Sequence, residues 1–227
     1  MKKKVVFIIL ILAIATVILV IFRGNIFGYV PATTNSTLYE PKIPPSSSQP
    51  AESHSTIIFD FDRGIPTVLE GHSTPFSQTS GGVTASFSSN ADPSAFSIQS
   101  YKSTFYTLSQ FSNRYLYDNK ITRDFLYIAF SQPVTEINFT FATVEYEGPG
   151  HLETPSTIKL TAYLNSIHST PISSGFANGN FSSSSFPQGT MSFDSGVKSF
   201  NIVKIELLYQ INGGTDFLID NIVVITA

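Results

Sequence analysis

The sequence predicts an all-β domain, an antiparallel sandwich or barrel, preceded by a single N-terminal transmembrane helix. Three observations predict it. A predominantly apolar run of eighteen residues without a charge, 5–22, stands between Lys2-Lys3-Lys4 and Arg23. From Thr56 onward, apolar residues recur with a period of two, the signature of half-buried strands. Between those stretches the chain is punctuated by Gly81-Gly82, Asp92-Pro93, Gly148-Pro149-Gly150, Asn178-Gly179-Asn180 and Asn212-Gly213-Gly214, all turn-forming combinations.

The apolar run is long enough to cross a hydrocarbon core as a helix rising about 1.5 Å per residue. Secretory signal segments are shorter, roughly 7–15 residues, and end near a small-residue cleavage site. Here Val30-Pro31-Ala32 lies well past the run, so the segment is expected to stay uncleaved. Basic flanks are retained on the cytoplasmic side. The N-terminus is therefore expected in the cytoplasm and the C-terminal domain outside a single-pass cell membrane. Residues 1–23 form the anchor. Residues 24–55 form a Pro- and Ser-rich linker, with Pro31, Pro41, Pro44, Pro45 and Pro50 and too little apolar content to pack. Residues 56–227 form the β-sandwich.

Composition narrows the chemistry. From Gly24 onward nine basic residues face sixteen acidic ones, a net charge of −7. Nucleic acid and anionic lipid both require basic patches, so neither is an expected ligand of the domain. With no cysteine, disulfides, thiolate metal sites and thiol catalysis are excluded. The domain must be held by its core, and about 170 residues suffice for one.

The strands follow in order. Ile57, Phe59 and Phe61 share one face, and Ile58, Asp60 and Asp62 the other. Further strands are expected at 82–88, 95–101, 125–131 and 135–144. In the last, Ile137, Phe139 and Phe141 alternate with Glu136, Asn138 and Thr140, giving one buried and one solvated face. Residues 157–164, 189–193, 200–210 and 216–226 complete the set. Residues 102–122 show no clear period and are expected to hold a short helix or long loops.

Three stretches together resemble a known family. They are Ile57-Ile58-Phe59-Asp60-Phe61-Asp62 with Gly82-Val83-Thr84-Ala85-Ser86-Phe87, then Leu126-Tyr127-Ile128-Ala129-Phe130 leading into Ile137-Asn138-Phe139-Thr140-Phe141, and finally Phe217-Leu218-Ile219-Asp220-Asn221-Ile222. Their order resembles extracellular jelly-roll β-sandwich domains of PEP-CTERM-type exported proteins and galactose-binding-like carbohydrate-binding modules. Unlike PEP-CTERM proteins, this chain carries no Pro-Glu-Pro signal and no C-terminal hydrophobic tail, so attachment is expected at the N-terminus. The resemblance implies an antiparallel jelly-roll β-sandwich. It also implies that the first and last strands lie close together, with a structural calcium ion nearby.

Candidate sites are few. Asp60 and Asp62 project from one side of a strand. With Asp220 they are the candidate calcium ligands, oxygen donors of the type that ion requires. The alternative is that they are solvated edge carboxylates or make local backbone bonds. Tyr101, Tyr106, Tyr115 and Tyr117 fall within seventeen residues, and Tyr146 lies on an acidic loop. Flat rings with a polar edge can serve as sugar platforms, although tyrosine also packs sandwich rims. The loop of residues 145–153 offers Glu145, Glu147, Glu153 and His151, a possible acid/base set, but it carries no metal-binding spacing and reads equally well as a solvated turn. No nucleophile elbow or phosphate loop is present. The expected function is a membrane-tethered extracellular β-sandwich acting as a binding or surface-structural module, with a cell-surface glycan as candidate ligand. The alternatives are a cell-surface polysaccharide hydrolase using the loop carboxylates and a purely structural envelope protein. No cofactor beyond calcium is expected.

Overall fold

The structure, a computed structural model, describes residues 54–64, 66–90, 92–100, 107–119, 124–145, 154–182, 185–208 and 214–227. The chain divides into two compact units, Met1–Gln49 and Pro50–Ala227, and every described residue belongs to the second. The apolar run 5–22 and linker residues 24–53 lie outside the described residues; His54 and Ser55, at the end of the linker, bond to Thr226. Among the described residues no helix is long and apolar enough to cross a membrane.

The described chain is all-β, and every strand pairing is antiparallel. The strands are β1 (Thr56–Phe59), β2 (Phe76–Ser80), β3 (Val83–Ser89), β4 (Phe96–Ser100), β5 (Arg114–Asp118) and β6 (Leu126–Thr143), followed by β7 (Thr157–Tyr163), β8 (Ser173–Asn178), β9 (Asn180–Ser182), β10 (Ser185–Asp194), β11 (Phe200–Leu208) and β12 (Phe217–Thr226).

The expected strands 125–131 and 135–144 are one strand, β6, and it organises the fold. Its first half, Leu126 to Phe130, pairs with β3, and Leu126 to Ala129 pairs with β11. Its second half pairs with β12 and β10. Between the halves, Ser131, Gln132 and Pro133 are exposed. Proline brings no N–H to a ladder, which suits the point where the strand leaves one layer for the other. One layer therefore runs β2-β3-β6-β11-β7-β8. The other runs β4-β5-β12-β6-β10-β9, with β1 added to β12.

Local chemistry explains several connections. Gly81 and Gly82 join β2 to β3 with φ of +53° and +81°. A two-residue hairpin turn with both φ positive matches strand twist and favours glycine. Gly179 separates β8 from β9, and a Cβ there would meet the Pro187 carbonyl carbon at 2.9 Å. The expected turn at Asn178-Gly179-Asn180 is thus a change of layer in tight contact with β10.

Apolar residues from both layers form a single core, rich in phenylalanine. In β1, Ile57 and Phe59 are buried while Ile58 is 52% exposed, as the period-two pattern predicts. The Phe59 ring sits 6.2 Å from that of Phe130, and Phe193 lies 5.6 Å edge-on to Phe200 across the layers.

A smaller cluster covers the opposite face of the second layer. Leu108 and Phe111 lie over Leu218, Ala142, Tyr115 and Tyr117. Gln188 clamps this segment, donating from Nε2 to the Thr107 carbonyl (3.1 Å) and accepting the Gln110 N–H at Oε1 (3.1 Å). The stretch expected to be helix or loop thus contributes strand β5 and this clamped segment.

Candidate functional site

The outer face of the first layer gathers aromatic and charged side chains from four neighbouring strands. Lys204 on β11 stands opposite Tyr127 on β6 and Thr161 on β7. Glu206 stands opposite Lys159, and Lys159 opposite Phe176 on β8. Cross-strand partners share a face. Their alternates, Ile128, Val203, Ile205, Ile158 and Leu160, are buried in the core. The pleat therefore turns the whole polar and aromatic group outward.

Glu206 Oε1 takes both ammonium groups, Lys204 Nζ at 3.0 Å and Lys159 Nζ at 3.4 Å. Lys204 Nζ also lies 4.5 Å from the centre of the Phe125 ring, within cation–π range. The three charged side chains are 13–29% exposed, so the network is partly covered yet reachable from solvent. Phe176, by contrast, is 61% exposed. It lies three strand spacings from β6, about 14 Å. Between these edges lie the charges, with the Tyr127 hydroxyl beside them. Burial pushes that hydroxyl above the ordinary tyrosine value, Lys204 pulls it back, and Tyr163 and Glu206 add to the rise. It stays a proton donor at neutral pH. Exposed ion pairs contribute little to stability; what this network does is hold three polar heads in fixed positions between rings.

The sequence pattern shows these residues alternating with core residues. It does not show that β6, β11, β7 and β8 are neighbours, so it could not assemble them.

Of the tyrosines singled out in the sequence, Tyr101, Tyr106 and Tyr146 lie outside the described residues. Tyr115 and Tyr117 are brought together on β5, on the outer face of the other layer. Both are half-buried in the small apolar cluster. Phe111 meets Tyr115 edge-on at 5.8 Å, and the Tyr117 hydroxyl donates to Asp216 Oδ2 at 3.3 Å. Burial first, then the Asp216 charge, push the Tyr117 hydroxyl up to about 12.

Of the expected Asp60–Asp62–Asp220 set, Asp62 and Asp220 come together while Asp60 turns to Arg63; neither Asp60 nor Asp62 lies on a strand as expected, because β1 ends at Phe59 and the chain turns there. Asp60 Oδ1 accepts the Arg63 N–H at 2.6 Å and Oδ2 pairs with the Arg63 guanidinium at 3.5 Å. Asp62 and Asp220 do converge, on Ser112 and Asn113. Asp62 Oδ2 accepts the Asn113 N–H at 3.1 Å, and Asp220 Oδ2 accepts both the N–H and the hydroxyl of Ser112 at 2.7 Å. Asn221 donates to Asp220 as well, from its N–H at 2.7 Å and its side chain at 3.3 Å. Asp62 Oδ1 is the one buried carboxylate oxygen of the pair without a partner. Calcium requires six to eight oxygens. Asp220 already takes four donors, and among the described residues no group of three or more His, Cys, Asp or Glu converges to hold an ion. Among the described residues, Asp62 and Asp220 fasten the 107–113 segment down.

This arrangement predicts a pH dependence. Burial pushes the Asp220 carboxyl above 3.8, its hydrogen bonds pull it down, and the Asp62 charge adds to the rise. Burial likewise pushes Asp216 above 3.8, against hydrogen bonds from Thr215 and Tyr117. The folded state thus holds these protons more tightly than the unfolded state. Their stabilisation is complete below the ordinary carboxyl value and is lost as pH rises through the raised folded values. Denaturation midpoints are expected to fall as pH rises above the ordinary carboxyl value. Asp220→Asn should flatten that slope; a slope unchanged in the variant would remove Asp220 from the account.

Glu145, a candidate acid, is 4% exposed. It accepts from the Thr143 hydroxyl (2.6 Å), the Ser156 N–H (2.7 Å), the Ser156 hydroxyl (2.8 Å) and the Gly214 N–H (3.2 Å). That is a structural clasp. Glu147, His151 and Glu153 lie outside the described residues. Two shallow depressions, of about 580 and 500 Å³, are lined by Leu164, Ile172 and Lys198 with their neighbours and by Arg63, Thr79 and Gly82 with theirs. Neither lining includes a carboxylate.

No protein-family model and no curated protein matches the sequence. Solved structures do match. The K1 cleaved adhesin domain of Lys-gingipain from Porphyromonas gingivalis W83 aligns at 11% identity and a TM-score of 0.43, over 75% of this chain and 97% of that one. The low-affinity xylan-binding module CBM86 from Roseburia intestinalis aligns at 10% identity and a TM-score of 0.30, over 75% and 94% of the two chains. The CBM32-2 module of a GH31 protein, bound to GalNAc, aligns at 17% identity and a TM-score of 0.30, over 60% and 79%.

Proposed function

We propose that this chain is a membrane-tethered, non-catalytic binding protein whose extracellular jelly-roll domain binds glycan on the outer face of β6, β11, β7 and β8. One observation carries the reading: aromatic rings and a fixed three-charge network share a single open sheet face. Sugars present apolar C–H faces to rings and hydroxyls to polar heads, so such a face answers both. The hydrolase alternative has no support among the described residues, because Glu145 is consumed as a clasp and no second carboxylate faces it across a cleft.

A glycan array probed with the full-length chain in detergent tests the reading. Phe176→Ala should weaken binding about tenfold, equivalent to about 1.4 kcal/mol. Tyr117→Phe should leave binding unchanged, since its hydroxyl is spent on Asp216. An array without a single binder would favour a purely structural envelope role.

The tether rests on residues 5–22. The chain is expected to remain in the membrane fraction after a carbonate wash. A soluble mature chain beginning near Thr33 would overturn the anchor and restore a cleaved signal.

A further inference from the structure

We infer, on the glycan reading above, that the ligand of the β6-β11-β7-β8 face is an anionic glycan, a polysaccharide bearing uronate carboxylates. Lys159, Lys204 and Glu206 are the only charged residues in β2, β3, β7, β8, β11 and residues 126–130 of β6. Every other outward position there is uncharged, mostly Ser or Thr. Those strand segments therefore carry one net positive charge, while residues 24–227 together carry −7.

That excess charge decides between neutral and acidic sugars. Both ammonium groups lean on a single oxygen, Glu206 Oε1. Each ammonium has three donors and gives one to Glu206, so donors remain on both. A neutral sugar stacked between Phe125 and Phe176 would cover the network and strip water from an uncompensated positive charge, which is costly. A ligand carboxylate placed over Lys159 and Lys204 supplies the missing charge and accepts those donors. The flanking rings then take the apolar sugar faces, and the Tyr127 hydroxyl is available as a donor. A densely charged polyanion would meet the repulsion of the surrounding acidic domain; a glycan with one carboxylate per sugar over two lysines meets it least.

The test uses the full-length chain in detergent and a panel of alginate, polygalacturonate, hyaluronan and glucuronoxylan, each paired with its carboxyl-reduced counterpart. At least one acid form is expected to bind about tenfold or more tighter than its reduced partner, and to weaken as salt rises. Lys159→Gln and Lys204→Met should each erase that preference. Glu206→Gln should tighten binding of the acid form, because it releases both ammonium groups. An unchanged near-UV circular dichroism spectrum certifies the fold of each variant, and Lys159→Gln carries the test if Lys204→Met does not fold. Equal binding of acid and reduced partners would overturn the charge inference and leave the glycan reading standing. Binding of no panel member, acid or reduced, would overturn the charge inference, and the glycan array then decides the glycan reading separately. Acid-selective binding that survives the lysine substitutions, or is weakened by Glu206→Gln in a folded variant, would overturn the assignment to this face.

Discussion

Phe139→Ala is expected to cost the domain about 3–5 kcal/mol, the usual range for emptying a fully buried phenylalanine site. Phe139 is 1% exposed and lies opposite Met191, itself fully buried, in the half of β6 shared with β10 and β12. The β10 ladder runs unbroken past this point, while the β12 ladder bulges between Asp220 and Val223, and the paired backbones on both sides limit collapse into the space left. Small domains are held by only about 5–15 kcal/mol in total, so this single change approaches the whole margin. The adjacent Asn138 is a built-in control. It points outward and accepts a hydrogen bond from the Ser192 hydroxyl at 2.5 Å. Asn138→Ala is expected to cost about 0.5–1 kcal/mol. Urea unfolding of the two variants with matched slopes measures the difference. Equal costs would mean that β6 is turned the other way.

Glu145→Ala should be nearly as severe, at about 2–5 kcal/mol. The carboxylate joins the end of β6 to the segments leading into β7 and β12. Its removal strands the buried N–H groups of Ser156 and Gly214, each costing about 1–3 kcal/mol when left without an acceptor. Gly214 is equally constrained, since a Cβ there would stand 2.5 Å from the Val144 carbonyl oxygen. Gly214→Ala must push that backbone away and should loosen the same clasp. Denaturant midpoints of both variants provide the measurement. A Glu145→Ala domain as stable as the parent would return this residue to the list of free acids and reopen the hydrolase alternative.

The alternating stretches of the sequence translate directly into strands. β3, β7, β11 and β12 lie within a residue or two of their expected positions, β1 ends at Phe59, three residues short of the expected Asp62, and the predicted inward residues Ile57, Phe59, Ile137, Phe139 and Phe141 are all buried. The reason is physical: a strand with one face in the core must alternate, and alternation is written in one dimension. The strands without such a pattern escaped notice. β8 reads Ser-Ser-Gly-Phe-Ala-Asn and β9 only Asn-Phe-Ser. Such edge segments are strands because of the neighbour that pairs with them, a fact absent from their own residues.

Sites followed the same division. Asp60, Asp62 and Asp220 invite a shared ion by residue type, yet only the folded chain shows Asp60 turned to Arg63 and Asp220 engaged with Ser112. Tyr115 and Tyr117 suggest a platform, yet half of each ring is spent on Phe111, Leu218 and their neighbours. Conversely, Tyr127, Lys159, Phe176, Lys204 and Glu206 are ordinary outward residues in the sequence, and they meet only because β11 inserts between β6 and β7. The sequence by itself determined that the domain is all-β, that its core is phenylalanine-rich and that disulfides and thiol chemistry are excluded. Those properties depend on composition and on period, which are local. Strand order, the change of layer along β6 and the aromatic, charged face were decided by tertiary structure alone, because pairing between strands distant in sequence is set by how two apolar faces close over one another and leaves no mark within any single strand.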